Sequence, residues 1–151
     1  MTSAKDISGD TRAPSPVYFI SAKSRAGQSV AKKLNKLVAA CDLPGRIPDG
    51  ALTAVKLHWG EAGNTAYLRP ALARTLVDAI RAAGGRPFVT DTNVLYRGHR
   101  HDAYDNLRTA AGNGFTAETM GAPLIVADGL RGRDATDVPL PFSKYFDQAS
   151  I

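Results

Sequence analysis

Polar side chains that could act as acids, bases or ligands follow three short apolar stretches of the chain, residues 55–57, 88–90 and 125–127. Five of them follow these stretches closely: His58, Glu61, Asp91, Asn93 and Asp128. In open α/β sheets, ligands bind at the carboxyl ends of the strands, where loops from several strands converge. We therefore expect these side chains to lie at one edge of a parallel sheet and to form a single site.

His58 and Asp91 are the candidates for catalysis or metal ligation. An imidazole at a strand end can be a general base, a ligand or a hydrogen-bonded structural group. The Asp91 carboxylate can bind a metal, orient a histidine or accept loop N–H groups in an Asx turn. Both residues are polar groups at loop tips and contribute little packing. We therefore expect that replacing either of them leaves the protein folded. The candidates for ligand binding are Glu61, Asn64, Thr92, Asn93, Arg97, Arg100 and Asp128.

The loop chemistry allows a small anion or a divalent metal as the ligand. Arg97 and Arg100 lie beyond the strand ends, where their guanidinium groups could bind an anionic small molecule, although a solvated loop surface is the alternative. His99 and His101 could add imidazole ligands suited to zinc, iron or manganese. Their spacing is not that of a known motif such as HExxH, so the metal stays unknown. No GxGxxG or Walker sequence is present.

The elements that must position these residues alternate between strands and helices. Apolar periodicity predicts strands at residues 17–21, 51–57, 86–91 and 122–127, and helices at 27–41, 68–83 and about 101–111. Strands separated by helical crossovers imply a parallel sheet with right-handed connections. We therefore predict an α/β fold, a Rossmann-like three-layer sandwich with a mainly parallel sheet that is incomplete at the C-terminus. Residues 1–16 are predicted to be a disordered tail, 17–138 the α/β domain and 139–151 an irregular tail.

Composition limits the classes of partner and the compartment. The net charge is +5, but Lys32, Lys33 and Lys36 are interpreted as the solvated side of one helix. Without aromatic platforms or a reading motif, we expect no nucleic-acid partner. The single cysteine, Cys41, and the absence of a long apolar run favour a cytoplasmic protein without a membrane partner.

An ordered series of short motifs runs through the chain: VKLHWGE (55–61), GNT (63–65), LRP (68–70), GGRPF (84–88), TDTN (90–93), LYRG (95–98), NGF (113–115), and GAP (121–123) leading to ADGL (127–130). On these motifs, residues 17 to about 138 resemble the N-terminal part of the domain of unknown function 362 family, many of whose members are regarded as iron–sulfur proteins. The resemblance implies a longer protein that continues into a cysteine-rich segment carrying [4Fe–4S] clusters. That segment is absent here, so we expect no cluster within this chain.

The resemblance favours one function and leaves a second open. In the first, the chain is the ligand-binding or metal-binding portion of a redox or metal-assisted enzyme. In the second, it is a non-catalytic, truncated module that acts only through association with a missing C-terminal half or another subunit. Whether the chain is an enzyme is left undecided by the sequence.

Overall fold

A three-stranded parallel sheet forms the centre of the fold. The structure, a computed structural model, describes residues 16–141 and 143–150. Its elements in chain order are α1 (Val30–Ala40), a 3-10 helix (Pro44–Arg46), β1 (Leu52–Lys56), α2 (Pro70–Ala82), β2 (Arg86–Asp91), α3 (Ala103–Gly112), α4 (Ala117–Met120), β3 (Leu124–Val126), β4 (Asp137–Pro139) and β5 (Gln148–Ser150).

The sheet has the order β1-β2-β3, with both pairings parallel. Val55 is opposite Val89, and Val89 is opposite Leu124, so these side chains lie in one row across the sheet. Each strand is joined to the next by helix, α2 in the first crossover and α3 with α4 in the second. The predicted α/β class and the parallel sheet are confirmed.

Local signals in the sequence explain where the long helices begin and end. Ser29 caps α1, its hydroxyl accepting a hydrogen bond from the Lys32 N–H at 3.3 Å. Pro70 occupies the first turn of α2, where its missing N–H costs no hydrogen bond. Gly84 follows α2 with φ +86°, a left-handed conformation that favours glycine and ends the helix.

Within residues 16–141 and 143–150, the hydrophobic core lies on one face of the sheet. Val55, Val89 and Val126 contribute to a single buried cluster together with residues of α2 and α3. Right-handed crossovers that always step in the same direction across a sheet place their helices on the same face. The order β1-β2-β3 is such a progression, so α2, α3 and α4 share one side, and α1 packs against α2.

The opposite face of the sheet is open within the part of the chain that the structure describes. Leu52 of β1 is 70% exposed and Ile125 of β3 is 45% exposed, and Ala54, two residues after Leu52, is exposed as well. The predicted three-layer sandwich is therefore not seen among residues 16–141 and 143–150. Without a reversal of strand order, the Rossmann-like arrangement is not confirmed either.

Residues 17–21 do not form the predicted strand. A strand needs a neighbour to accept and donate its backbone hydrogen bonds, and this segment instead meets a side chain of α1. The Lys33 ammonium donates to the Ser21 carbonyl oxygen at 2.9 Å and also to that of Lys23. Lys33 is consequently buried, and its interpretation as part of a solvated helix side is wrong.

The C-terminal residues, predicted to be irregular, contain an antiparallel hairpin of β4 and β5. Asp137 is opposite Ser150 in this pairing, and its carboxylate accepts hydrogen bonds from the Ser150 hydroxyl and, at 3.1 Å, from the Gln148 amide. The tail predicted for residues 1–16 lies outside the described residues, apart from residue 16. No helix in the described ranges has the length and apolar character needed to cross a membrane.

The one-sided core predicts opposite results for neighbouring residues of β3. Val126→Asp places a carboxylate among buried apolar side chains and should cost about 3 kcal/mol or more of unfolding free energy. Ile125→Asp, on the open face, should cost less than about 1 kcal/mol. Urea unfolding monitored by circular dichroism measures both. Similar costs for the two variants would show that both faces are covered.

Candidate functional site

The guanidinium of Arg100 is the centre of a polar cluster at the carboxyl ends of the strands. Arg100 is only 2% exposed, although it lies in the loop between β2 and α3. An arginine side chain has five N–H donors. The acceptors that Arg100 meets are Asn106 Oδ1 (3.1 Å from Nε), Glu61 Oε1 (2.8 Å from Nη1), His58 Nε2 (near Nη1), Asp91 Oδ2 (2.6 Å from Nη2) and the Thr92 carbonyl oxygen (3.5 Å from Nη2).

Asp91 is the buried counter-ion of this cluster. Its side chain, like that of Arg100, is almost wholly excluded from solvent. The second carboxylate oxygen, Oδ1, accepts the Thr92 N–H at 2.9 Å and lies 3.2 Å from the Lys56 ammonium. A buried charge is tolerated only when it is paired and hydrogen-bonded, and both conditions hold here. The geometry makes Asp91 a group that positions Arg100.

Asn106 of α3 supplies the uncharged part of the cluster. Its side chain is fully buried, and its Oδ1 accepts from the Trp59 indole N–H at 2.8 Å as well as from Arg100. Its amide nitrogen donates to the Thr92 carbonyl oxygen at 2.9 Å and lies 3.3 Å from Asn93 Oδ1. One amide thus joins the loop after β1, the end of β2 and the helix α3.

His58 lies at the exposed rim, with 54% of its side chain accessible. Its Nδ1 accepts the Gly60 N–H at 3.0 Å, and its Nε2 faces Arg100 and lies 3.6 Å from Glu61 Oε1. Since a neutral imidazole has only one acceptor nitrogen, the two N–H donors cannot both be satisfied in one tautomer. Nε2 accepts from Arg100 only when Nδ1 carries the proton, and Nδ1 accepts from Gly60 only when Nε2 carries it.

The backbone at Gly60 allows this ring position. Gly60 has φ +93°, and a Cβ atom there would lie 2.7 Å from the Asn113 amide nitrogen and 2.8 Å from the Tyr67 ring. Asn113 in turn donates to the Trp59 carbonyl oxygen at 2.9 Å, which ties the loop after β1 to the end of α3. A side chain at position 60 would displace the loop that carries His58.

Glu61 is the acceptor that links the buried and exposed halves of the cluster. Its Oε1 accepts from the Tyr96 hydroxyl at 2.5 Å as well as from Arg100. Burial raises the pKa of Glu61, but the hydrogen bonds from Tyr96 and Arg100 and the electrostatic effects of Arg100 and His58 lower it more. The net pKa lies below its ordinary value of 4.5. The hydrogen bond between Tyr96 and Glu61 also raises the pKa of Tyr96 above its ordinary value of 10.0.

Asp128 and Asn93 join the loop after β3 to the loop after β2. Both carboxylate oxygens of Asp128 face the Asn93 N–H, at 2.9 and 3.1 Å. The Asn93 amide donates to the Gly129 carbonyl oxygen at 2.8 Å. Both residues therefore bond to groups of this chain. This fits the alternative in which such side chains stabilise loops instead of binding a ligand.

The structure brings seven of the nine candidate residues into one connected network: His58, Glu61, Asp91, Thr92, Asn93, Arg100 and Asp128. Asn64 is exposed and uses its side-chain oxygen to accept the Ala66 N–H, and Arg97 is exposed on the loop. The expectation that Arg100 meets an anionic ligand does not fit its geometry, because its donors all point at acceptors of this chain.

The described residues do not bring together a complete set of protein ligands for a metal ion. Within residues 16–141 and 143–150, no three His, Cys, Asp or Glu side chains are grouped closely enough to hold a metal ion. His99 and His101 are exposed and line separate cavities of about 370 and 140 Å³. A [4Fe–4S] cluster usually has four thiolate ligands, and the chain has only Cys41, so it does not fit this chain alone.

The residues that sequence reasoning missed are Lys56, Tyr96 and Asn106. Asn106 had a usable signal, because it has helical spacing with Ala103 and Ala110, both of which are buried. A polar residue on the apolar stripe of a helix indicates a buried hydrogen-bond partner. Tyr96 and Lys56 carry no comparable signal.

The fold and site define an α/β protein with a buried, charge-paired cluster at the carboxyl ends of its parallel strands. A family model, the domain of unknown function DUF362, matches residues 53–151, and the chain belongs to this family. The matched region begins at β1 and includes the β4–β5 hairpin. Neither the curated proteins nor the solved structures contain a match to the chain.

Removing Arg100 should destabilise the protein strongly. Arg100→Met removes the buried counter-ion of Asp91 and leaves only the exposed Lys56 ammonium beside it, and breaking a buried pair in this way costs about 3–5 kcal/mol of unfolding free energy. Arg97→Met, an exposed control in the same loop, should stay within about 0.5 kcal/mol of the wild type. Urea unfolding measures both. Equal stabilities would contradict a structural role for the buried guanidinium. Asp91→Asn breaks the same buried ion pair from the other side, so we expect it to destabilise the fold as well.

The stability contributed by Glu61 should depend on pH in the acid range. Because its folded pKa is lowered, its contribution is present above the ordinary value of 4.5 and is lost as the pH falls through the lower folded pKa. The stability difference between wild type and Glu61→Gln should therefore be constant at neutral pH and shrink below pH 4.5. Tyr96→Phe removes one of the hydrogen bonds that lower the Glu61 pKa, so it should reduce this pH dependence. Parallel pH profiles for wild type and Glu61→Gln would contradict this.

Proposed function

We propose that this chain is the ligand-binding or metal-binding portion of a redox or metal-assisted enzyme, in the cytoplasm, with His58 and Glu61 as its acid/base pair. The observation that supports the proposal is the facing geometry of these two groups, 3.6 Å apart at the rim of a buried ionic cluster. A general base must lie within hydrogen-bond reach of the proton it takes, often less closely in an unliganded protein. The redox part of the proposal comes from the family resemblance of the sequence.

The buried half of the cluster gives the rim a fixed geometry. Arg100 forms an ion pair with the Glu61 carboxylate, and Asp91 forms an ion pair with Arg100. The position of the Glu61 oxygen at the rim is therefore fixed. Burying these charges costs desolvation free energy that apolar packing would not cost. Buried charged clusters of this kind are concentrated at functional sites, where fixed charges can stabilise a ligand or a transition state. In this proposal Asp91 and Arg100 are positioning residues and His58 touches the ligand.

The rim favours a cation over an anion. Glu61 Oε1 already accepts from Arg100 and Tyr96, so a divalent metal would bind through the other carboxylate oxygen, Oε2, and an imidazole nitrogen of His58. The Arg100 donors are directed at acceptors of this chain and are not free for an anion. Catalytic zinc sites commonly have three protein ligands, and this rim offers two. We propose that the other ligands come from the substrate or a partner.

Thermal unfolding with Zn²⁺, Mn²⁺ or inorganic phosphate tests this proposal. A metal that binds only the folded protein should add about 2.7 kcal/mol of stability at about a hundredfold its dissociation constant. Zn²⁺ or Mn²⁺ should stabilise the wild type and phosphate should not. His58→Ala should remove the response while changing the unliganded stability by less than about 1 kcal/mol, because the ring is half exposed.

His99→Ala is the matched control, since His99 is exposed and lies outside the cluster. It should keep the full metal response. Equal responses of the two histidine variants, or no response of the wild type to any of the three probes, would refute the site. The alternative, a non-catalytic module that works through association, would then be favoured, and the open face of the sheet is the observation that supports it.

A further inference from the structure

The open face of the parallel sheet is unusual for its class. Parallel sheets are almost always covered on both faces, because crossover helices pack there and the strands are apolar on both sides. Here the progressive strand order places α2, α3 and α4 on one face, and within the described ranges the other face is left to solvent. Leu52, Ala54 and Ile125 are exposed on it, and Phe88 of the central strand is half-buried among them.

This open face consists of an apolar centre with positive charge at its ends. Alternation along the strands assigns Leu52, Ala54 and Lys56 of β1 to this face, together with Arg86, Phe88 and the buried Thr90 of β2 and Ile125 of β3. The two charged residues in this set are both cationic and exposed, one at each end of the strands. Lys56 also lies 3.2 Å from the Asp91 carboxylate, so Arg86 is the charge on which the choice of partner depends. A complementary surface would therefore have an apolar stripe with acidic residues beside it.

We propose that the open face binds a second polypeptide that presents an amphipathic helix with an apolar stripe and acidic flanks. A helical occupant is the form in which α/β sheets are normally covered. A second copy of this chain fits less well, because a twofold interface would bring the same cationic patch against itself in a chain of net charge +5. Residues 1–15 contain only two large apolar residues, Met1 and Ile7, too few for an apolar stripe. The proposal does not depend on ligand binding at the His58 rim.

Synthetic helical peptides of about 18 residues test the proposal, with a Leu stripe flanked either by Glu or by Lys. A third peptide has the Glu composition in scrambled order. Binding of each fluorescent peptide to the full chain is measured by anisotropy. The Glu peptide should bind saturably and at least about tenfold more tightly than the other two. Ile125→Asp should weaken this binding about tenfold or more, and Arg86→Glu should shift the preference towards the Lys peptide.

Leu130→Asp is the control, because Leu130 is also an exposed apolar residue but lies in the loop after β3, outside the strands. It should leave peptide binding unchanged. Equal binding of all three peptides, no saturable binding, or binding that survives Ile125→Asp would overturn the proposal. Sedimentation velocity showing a dimer that Ile125→Asp dissociates would overturn it in favour of a second copy.

Discussion

The buried guanidinium of Arg100 is the interaction on which the site depends. A cation removed from water must have its charge balanced and its donors accepted, or the fold loses several kcal/mol. Asp91 at the end of β2 balances the charge, and acceptors come from His58 and Glu61 in the loop after β1 and from Asn106 in α3, three segments in all. The position of each segment is therefore constrained by the others. The rim groups are exposed, yet their placement is set by a residue that solvent does not reach.

The sheet determines where this cluster can form. All three strands point the same way, so the loops that follow them meet at one edge, while the helices of both crossovers lie on one face. The core and the polar cluster are thus adjacent, with Trp59 in contact with both: its ring is buried in the core and its indole N–H donates to Asn106. This arrangement of helices concentrates packing and polar pairing on one side of the sheet, and among the described residues it leaves Leu52, Ala54 and Ile125 exposed on the other side.

Much of this arrangement follows from local sequence. Parallel strands share a carboxyl edge, so the placement of His58, Asp91 and Asp128 at one edge could be predicted from the common direction of the strands. Pro70 and Gly84 likewise mark the ends of α2. The inward direction of Arg100 could not be predicted, because its neighbours His99 and His101 are exposed and the loop has no periodicity. The failure at residues 17–21 has a different cause: strand propensity describes a residue, whereas a strand also requires a partner.

The Arg100 loop also has a consequence for the dynamics of the site. The loop is closed by the Val94 N–H donating to the Arg100 carbonyl oxygen at 3.0 Å, and its guanidinium reaches Glu61, 39 residues earlier in the chain. Such non-local contacts require the closure of a long chain segment, which slows folding relative to local contacts. Amide groups around the cluster should accordingly exchange with deuterium through large, cooperative opening events rather than by fraying of a single loop.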